Sequence, residues 1–193
     1  MRIGILGGTF DPVHEGHLAA ALAAMECANL DRVLVVPTAV PPHRPPAVAD
    51  AADRLEMARL ATAGDARFEV SDIELRRKGA SFTVDTLREL RKRCPDDELF
   101  LILGWDAARL LGTWHESDEV RRLATVIVVT RPGSGRPATT SSEILCERPT
   151  PDISGSALRR AIAGREPLAG RVPEAVARYI DEHGLYRDNQ KVG

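Results

Sequence analysis

Short aliphatic runs alternate with helical stretches along the whole chain, which predicts an α/β fold: an open, mostly parallel sheet with helices on both faces. Two further observations support it. The first 36 residues read strand, helix, strand, a βαβ unit whose crossover requires parallel neighbours. The strand segments are continuously apolar rather than alternating, the pattern of strands covered on both faces. At 193 residues the chain has the length of one domain, enough to bury about 70% of its unfolded surface without disulfide or metal staples.

Arg2 to Leu6 is a buried strand stopped by Gly7-Gly8. From Gly16 the period changes, and Leu18, Leu22 and Met25 recur at helical spacing in an alanine-rich stretch to about Asn29. Arg32 to Val36 is the second strand. Pro37 to Asp50 holds five of the thirteen prolines and is an extended loop, because proline lacks a donor and fixes φ. A helix at about 51–63 leads to a strand around Phe68–Ile73. Thr83 reads as the N-cap of a helix to Arg93, with Asp85 in the first turn facing the positive helix end. Leu99–Leu103 is a buried strand, helical pieces run across 106–112 and 117–123, and Thr125–Val129 is a strand. The turn-rich Arg131–Ser142 precedes a last strand at Ile144–Cys146. Helices start at Ser154 and, with Pro in its first position, at Pro173; Gly184 stops the second. The whole reads as one Rossmann-like domain over 1–193, with a short helical subregion at about 154–186.

A net charge of −2 argues against a nucleic-acid or membrane-surface binder, while leaving room for a local anion site. The three cysteines, Cys27, Cys94 and Cys146, form no C-x-x-C pair and read as free thiols of a reducing cytosol. The N-terminus has only Ile3 to Leu6 before two glycines, unlike a signal peptide, and no apolar run is long enough to span a bilayer. The expectation is a cytoplasmic protein, and a homo-oligomer is compatible with this composition. Aromatics make up 4% of the chain, so aliphatics must build the core.

In such folds ligands bind beyond the carboxyl ends of the strands. The first such loop reads Gly7-Gly8-Thr9-Phe10-Asp11-Pro12-Val13-His14-Glu15-Gly16-His17 and leads into the first helix. Gly7 and Gly8 let backbone N–H groups approach an anion, and the helix start adds about half a positive charge. His14 and His17 are three apart, so they share a face, and Gly16 removes a side chain where the ligand would pass. The dinucleotide fingerprint G-x-G-x-x-G is absent, and the second strand ends Val35-Val36-Pro37 without an acid for a ribose. No P-loop occurs. The histidines could also pair on zinc or cap the helix without chemistry, but no third zinc ligand stands at supporting spacing. Asp72 and Glu74 could hold a metal, though alternation at a strand end explains them better.

The pattern G-G-T-F-D-P-x-H-x-G-H resembles the signature of the HxGH nucleotidyltransferases, and its long form resembles the nicotinate-nucleotide adenylyltransferase family in particular. Further segments agree. Asp152-Ile153-Ser154-Gly155-Ser156-Ala157-Leu158-Arg159 resembles the family's I-S-S-T-x-I-R, with Gly155 for the second Ser and Ser156 for the Thr. Pro41-Pro42-His43-Arg44 resembles P-x-H-K, with Arg for Lys; Ser81-Phe82-Thr83-Val84-Asp85-Thr86-Leu87 resembles S-x-T-x-D-T-L; Gly104-Trp105-Asp106 followed by Trp114 resembles G-x-D…W. Arg131-Pro132-Gly133 follows the last central strand, as in the family.

The resemblance implies adenylyl transfer from ATP to nicotinate mononucleotide, giving deamido-NAD and pyrophosphate in NAD biosynthesis. His14, His17 and Arg159 are then the catalytic residues. Gly7, Gly8, Thr9, Phe10, Arg44, Gly104, Asp106, Ser154 and Ser156 would bind ATP and its phosphates. Thr83, Thr86 and Trp114 would bind the nicotinate nucleotide. Mg²⁺ would arrive on the ATP phosphates, with no metal site formed by the protein itself. Four of the eight aromatics, Phe10, Phe82, Trp105 and Trp114, fall in these segments, as if kept for the flat rings of the substrates.

Overall fold

In the computed structural model, which describes residues 1–39, 46–77, 79–130 and 143–187, the first apolar run continues through both glycines as β1 (Arg2–Gly8). Gly7 and Gly8 stay in the sheet because they still pair with Val36 and Pro37 of β2 (Arg32–Pro37). Between them lies α1 (Glu15–Ala28), closed by Asn29 in the left-handed region with its N–H on the Met25 carbonyl. α2 (Ala51–Thr62) starts at Asp50, whose carboxylate accepts the Asp53 N–H.

β3 (Phe68–Val70) is half as long as the sequence suggests. After Ser71 the chain leaves the sheet edge and turns, bonding Arg76 N–H to the Asp72 carbonyl and Arg77 N–H to that of Glu74, and Ile73 is buried in the core. Asp72 and Glu74 therefore sit in a turn and not on alternate faces of a strand end. In α3 (Thr83–Arg93) the N-cap is Phe82, and Thr83 is the first helical residue. Arg91, Lys92 and Arg93 complement the dipole at its other end.

β4 (Glu98–Gly104) runs directly into α4 (Trp105–Leu110) and a 3-10 turn at Leu111–Thr113; α5 (Ser117–Leu123) and β5 (Thr125–Thr130) follow. Then come β6 (Ile144–Glu147), α6 (Gly155–Ala163) and α7 (Glu174–Glu182). Pro173 is the N-cap of α7 rather than its first residue, and Gly184 ends the turn after it with φ 62°.

All strand pairings are parallel, in the order β3-β2-β1-β4-β5-β6. The winding reverses between β1 and β4, so the crevice of such a fold opens at their carboxyl ends. One face buries Val33, Val35, Phe100 and Ile102 under α1, α2, α6 and α7; the other buries Ile5, Leu34, Leu101 and Leu103 under α3 and α5. Leu158, Ile162, Val176 and Ile180 of the last two helices share the first core with Met25 and Val13. No helix among the described residues is long and apolar enough to cross a membrane.

Cys27 and Cys146 are joined by a disulfide, contrary to the expectation of three free thiols; Cys94 is free. Spacing could not reveal this, because a separation of 119 residues closes only when β6 joins the sheet beside β5, under α1. A loop of that length constrains the unfolded chain strongly. Cys27→Ser is expected to lower the unfolding free energy by about 2–4 kcal/mol, read from urea denaturation without reductant. No difference from the parent would mean that the bond does not form in solution.

Candidate active site

The loop after β1 is fixed by two buried charged side chains. Arg54, on α2 and only 2% exposed, donates from Nη1 to the carbonyls of Thr9 (2.7 Å) and Thr38 (2.8 Å), clamping the ends of β1 and β2 together. Burial lowers its pKa and Asp11 opposes that shift. Asp11 is a hub. Its carboxylate accepts the N–H groups of Val48 (2.8 Å) and Ala49 (3.0 Å) and the Tyr186 hydroxyl (2.8 Å). Arg159 Nη1 donates to the Asp11 carbonyl at 2.7 Å and lies 3.5 Å from its carboxylate.

His14 is the N-cap of α1, and His17 stands in the first turn, with the imidazole centroids 3.6 Å apart and nearly parallel. The His14 N–H donates to His17 Nδ1 at 3.2 Å. With Nδ1 an acceptor, a neutral His17 carries its proton on Nε2 and can donate it to an anion. Phe10 is buried, φ 50°, with its ring at right angles to His17, 4.9 Å between centroids. It braces His17 and is not open to stack on a ligand. Gly16 also has a different use from the one expected. A Cβ there would meet the His14 ring at 3.1 Å and the Pro151 carbonyl at 3.4 Å, so the glycine lets the histidine pair and the 150s segment close.

His14 Nδ1 is buried without a partner among the described residues, and burial pulls its pKa from 6.5 to about 4. The unfolded chain protonates this residue near 6.5, the folded chain near 4. Stability is therefore full above the first value and falls as pH drops towards the second. The loss is expected to reach roughly 3 kcal/mol. His14→Gln should flatten that limb in urea titrations between neutral and acid pH; an unchanged acid limb would show that another group governs it.

Across the crevice, Ser154 caps α6 and accepts the Ala157 N–H at 3.3 Å, with Ser156 Oγ 3.4 Å from its hydroxyl. Gly155 packs on the first loop: a Cβ would lie 3.2 Å from the Asp11 carbonyl and 3.4 Å from Arg159 Nη1. A side chain here would need these neighbours to give by a few tenths of an ångström. Arg159 Nε is buried and has no partner among the described residues. The α1 and α6 starts, the histidines and Arg159 converge on one small region, suited to an anion.

On the other face of the sheet a cleft of about 280 Å³ opens at the ends of β1, β2 and β4. Gly7, Gly8 and Thr9 line it, so the loop that carries the histidines also forms its rim. Thr83 and Thr86 line it from α3, Asp106 from α4 and Trp114 from the turn beyond. Phe82 joins them, its ring 4.5 Å from that of His115. Gly104 is the exposed N-cap of α4, while Trp105 packs against the core under Arg109 and does not line the cleft. Thr86 is 2% exposed, and its hydroxyl donates to Glu74 at 2.8 Å and accepts from Arg77 at 3.2 Å. Glu74 also faces the cleft, and burial pushes its pKa up. His43, Arg44 and Arg131 lie outside the described residues.

The sequence assigns no role of its own to Asp11, Arg54 or Tyr186, and Glu74 enters it only as half of a possible metal pair. For Arg54 a signal existed: it falls on the helical face that buries Met57 and Ala58 completely. No group of three or more metal-ligating side chains occurs among the described residues.

Residues 5–161 match the family described as Cytidylyltransferase-like. The chain is similar to a probable nicotinate-nucleotide adenylyltransferase of Thermus thermophilus, 48% identical over 97% of this chain and 100% of that relative. It is 39% identical to one named alike in Dehalococcoides mccartyi, over 96% and 97% of the two chains. Among solved structures, the Plasmodium falciparum nicotinic acid mononucleotide adenylyltransferase complexed with NaAD superimposes with TM-score 0.83. It covers 97% of this chain and 98% of its own at 18% identity, a likeness of fold.

Proposed function

The chain belongs to the Cytidylyltransferase-like family, and from that membership we infer that it transfers the adenylyl group of ATP to nicotinate mononucleotide, as a nicotinate-nucleotide adenylyltransferase of NAD biosynthesis. The observation that carries this is the near-full-length identity to relatives of that name. The acceptor's own phosphate oxygen attacks the α-phosphorus of ATP, the α–β P–O bond breaks, and pyrophosphate leaves with its electron pair. That nucleophile is already ionised at neutral pH, so positioning and charge stabilisation supply most of the catalysis.

The two halves of the crevice suit the two substrates. The apolar cleft of Phe82, Leu103 and Trp114 can stack a pyridine ring, and the α3 start offers N–H groups to its carboxylate. The histidines, the α6 serines and Arg159 receive the triphosphate, with His17 Nε2–H and the Arg159 fork donating to its oxygens. Both substrates then meet over Gly7, whose Cβ direction is open space. Gly104 and Asp106 stand at the end of β4, where the carboxylate can accept from nucleotide hydroxyls. Mg²⁺ would arrive on the ATP phosphates and there would spread the charge of the leaving pyrophosphate.

Pyrophosphate release, with ATP and Mg²⁺, tests this against nicotinate mononucleotide, nicotinamide mononucleotide and phosphopantetheine in parallel. Release with the nicotinate form far above the others is expected. No release with either pyridine nucleotide would overturn the assignment.

A further inference from the structure

We propose that Tyr186 is a positioning residue of the phosphate site, acting through Asp11 to hold the Arg159 guanidinium in the direction that receives the triphosphate. The inference rests on the proposed function only for the identity of the nucleotide. Tyr186 follows α7, 175 residues after Asp11, yet its ring is buried in the core with Phe10 and Val13 and its hydroxyl reaches Asp11 Oδ1 at 2.8 Å. Burial beside Asp11 raises its pKa, so the phenol keeps its proton and remains a donor.

The chain of contacts is short and directional. Tyr186 and the Ala49 N–H occupy Oδ1, the Val48 N–H occupies Oδ2, and together they leave the carboxylate one orientation. Arg159 then lies 3.5 Å from Oδ2 while its Nη1 is committed to the Asp11 carbonyl at 2.7 Å. With Nη1 and the direction of the fork fixed, the buried Nε, without a partner among the described residues, is left for an acceptor. The hydroxyl fixes the carboxylate that lies 3.5 Å from Arg159, and its loss is costly because the freed lone pair stays buried.

Tyr186→Phe keeps the ring and removes the oxygen alone. It is expected to raise KM for ATP about three- to tenfold, leave KM for nicotinate mononucleotide unchanged and weaken ATP binding by the same factor in calorimetry. In an Arg159→Lys background the same substitution should add nothing further, since the fork it orients is gone. Should Tyr186→Phe not fold, Asp11→Asn is expected to reproduce the ATP-side loss. Equal effects on both substrates, or full additivity with Arg159→Lys, would overturn the proposal. Calorimetry decides it even if the acceptor proves to be another phosphate compound, because ATP binding is read without turnover.

Discussion

Replacing His17 with alanine is expected to lower kcat for pyrophosphate release by about 10²-fold while leaving the thermal midpoint within a few degrees of the parent. The reason is local. His17 sits at the positive end of α1 with Nδ1 engaged by the His14 N–H, so its remaining N–H is aimed by a backbone contact rather than by a mobile side chain. Such a donor is worth most where charge develops and water is scarce. Its loss costs the fold little, since the ring is only partly buried, resting on His14 and the edge of Phe10. Turnover close to the parent's would remove His17 from the chemistry.

The second large effect falls on stability. Arg54→Met should cost about 3 kcal/mol, because the Thr9 and Thr38 carbonyls lose a charged donor inside the protein and Asp11 loses a nearby cation. For a chain of this size that corresponds to a drop in Tm of roughly 6–12 °C. Activity should fall too, since the clamp holds Thr9, where the histidine loop leaves β1. The pair of variants is informative together: His17→Ala separates turnover from stability, and Arg54→Met couples them. A melting curve for Arg54→Met like that of the parent would show that the β1 and β2 loops are held by other contacts.

The order of elements was legible because buried parallel strands announce themselves as apolar runs, Ile3–Leu6, Leu99–Leu103 and Thr125–Val129 among them. Ends were less legible. β3 stops early because Ile73 gains more by entering the core than by extending a sheet edge. Gly7 and Gly8, read as a stop, remain paired. For the site, the H-x-G-H loop and the Ser154–Arg159 turn could be recognised because the residues of each lie within one helical start. What holds them together could not. Asp11 and Tyr186 meet across 175 residues, a distance no local pattern encodes, and Cys27 meets Cys146 across 119 for the same reason, whereas Arg54 left a trace on the buried face of its helix. The aromatics split along this line: Trp114 and Phe82 line the cleft, whereas Phe10 and Trp105 are structural.

The hydrogen bond from Tyr186 to Asp11 also sets an order of events during synthesis. The loop carrying the histidines leaves the ribosome early, and Arg159 follows 148 residues after Asp11, but the hydroxyl that locks their common anchor is made 175 residues after it. The nascent chain can assemble β1 to β5 and much of its first core before that point, since domains gather their elements as they emerge. The anchor against which Arg159 is seated is complete only when translation has passed residue 186. The contact that fixes Asp11 therefore waits for a residue made after every strand of the sheet.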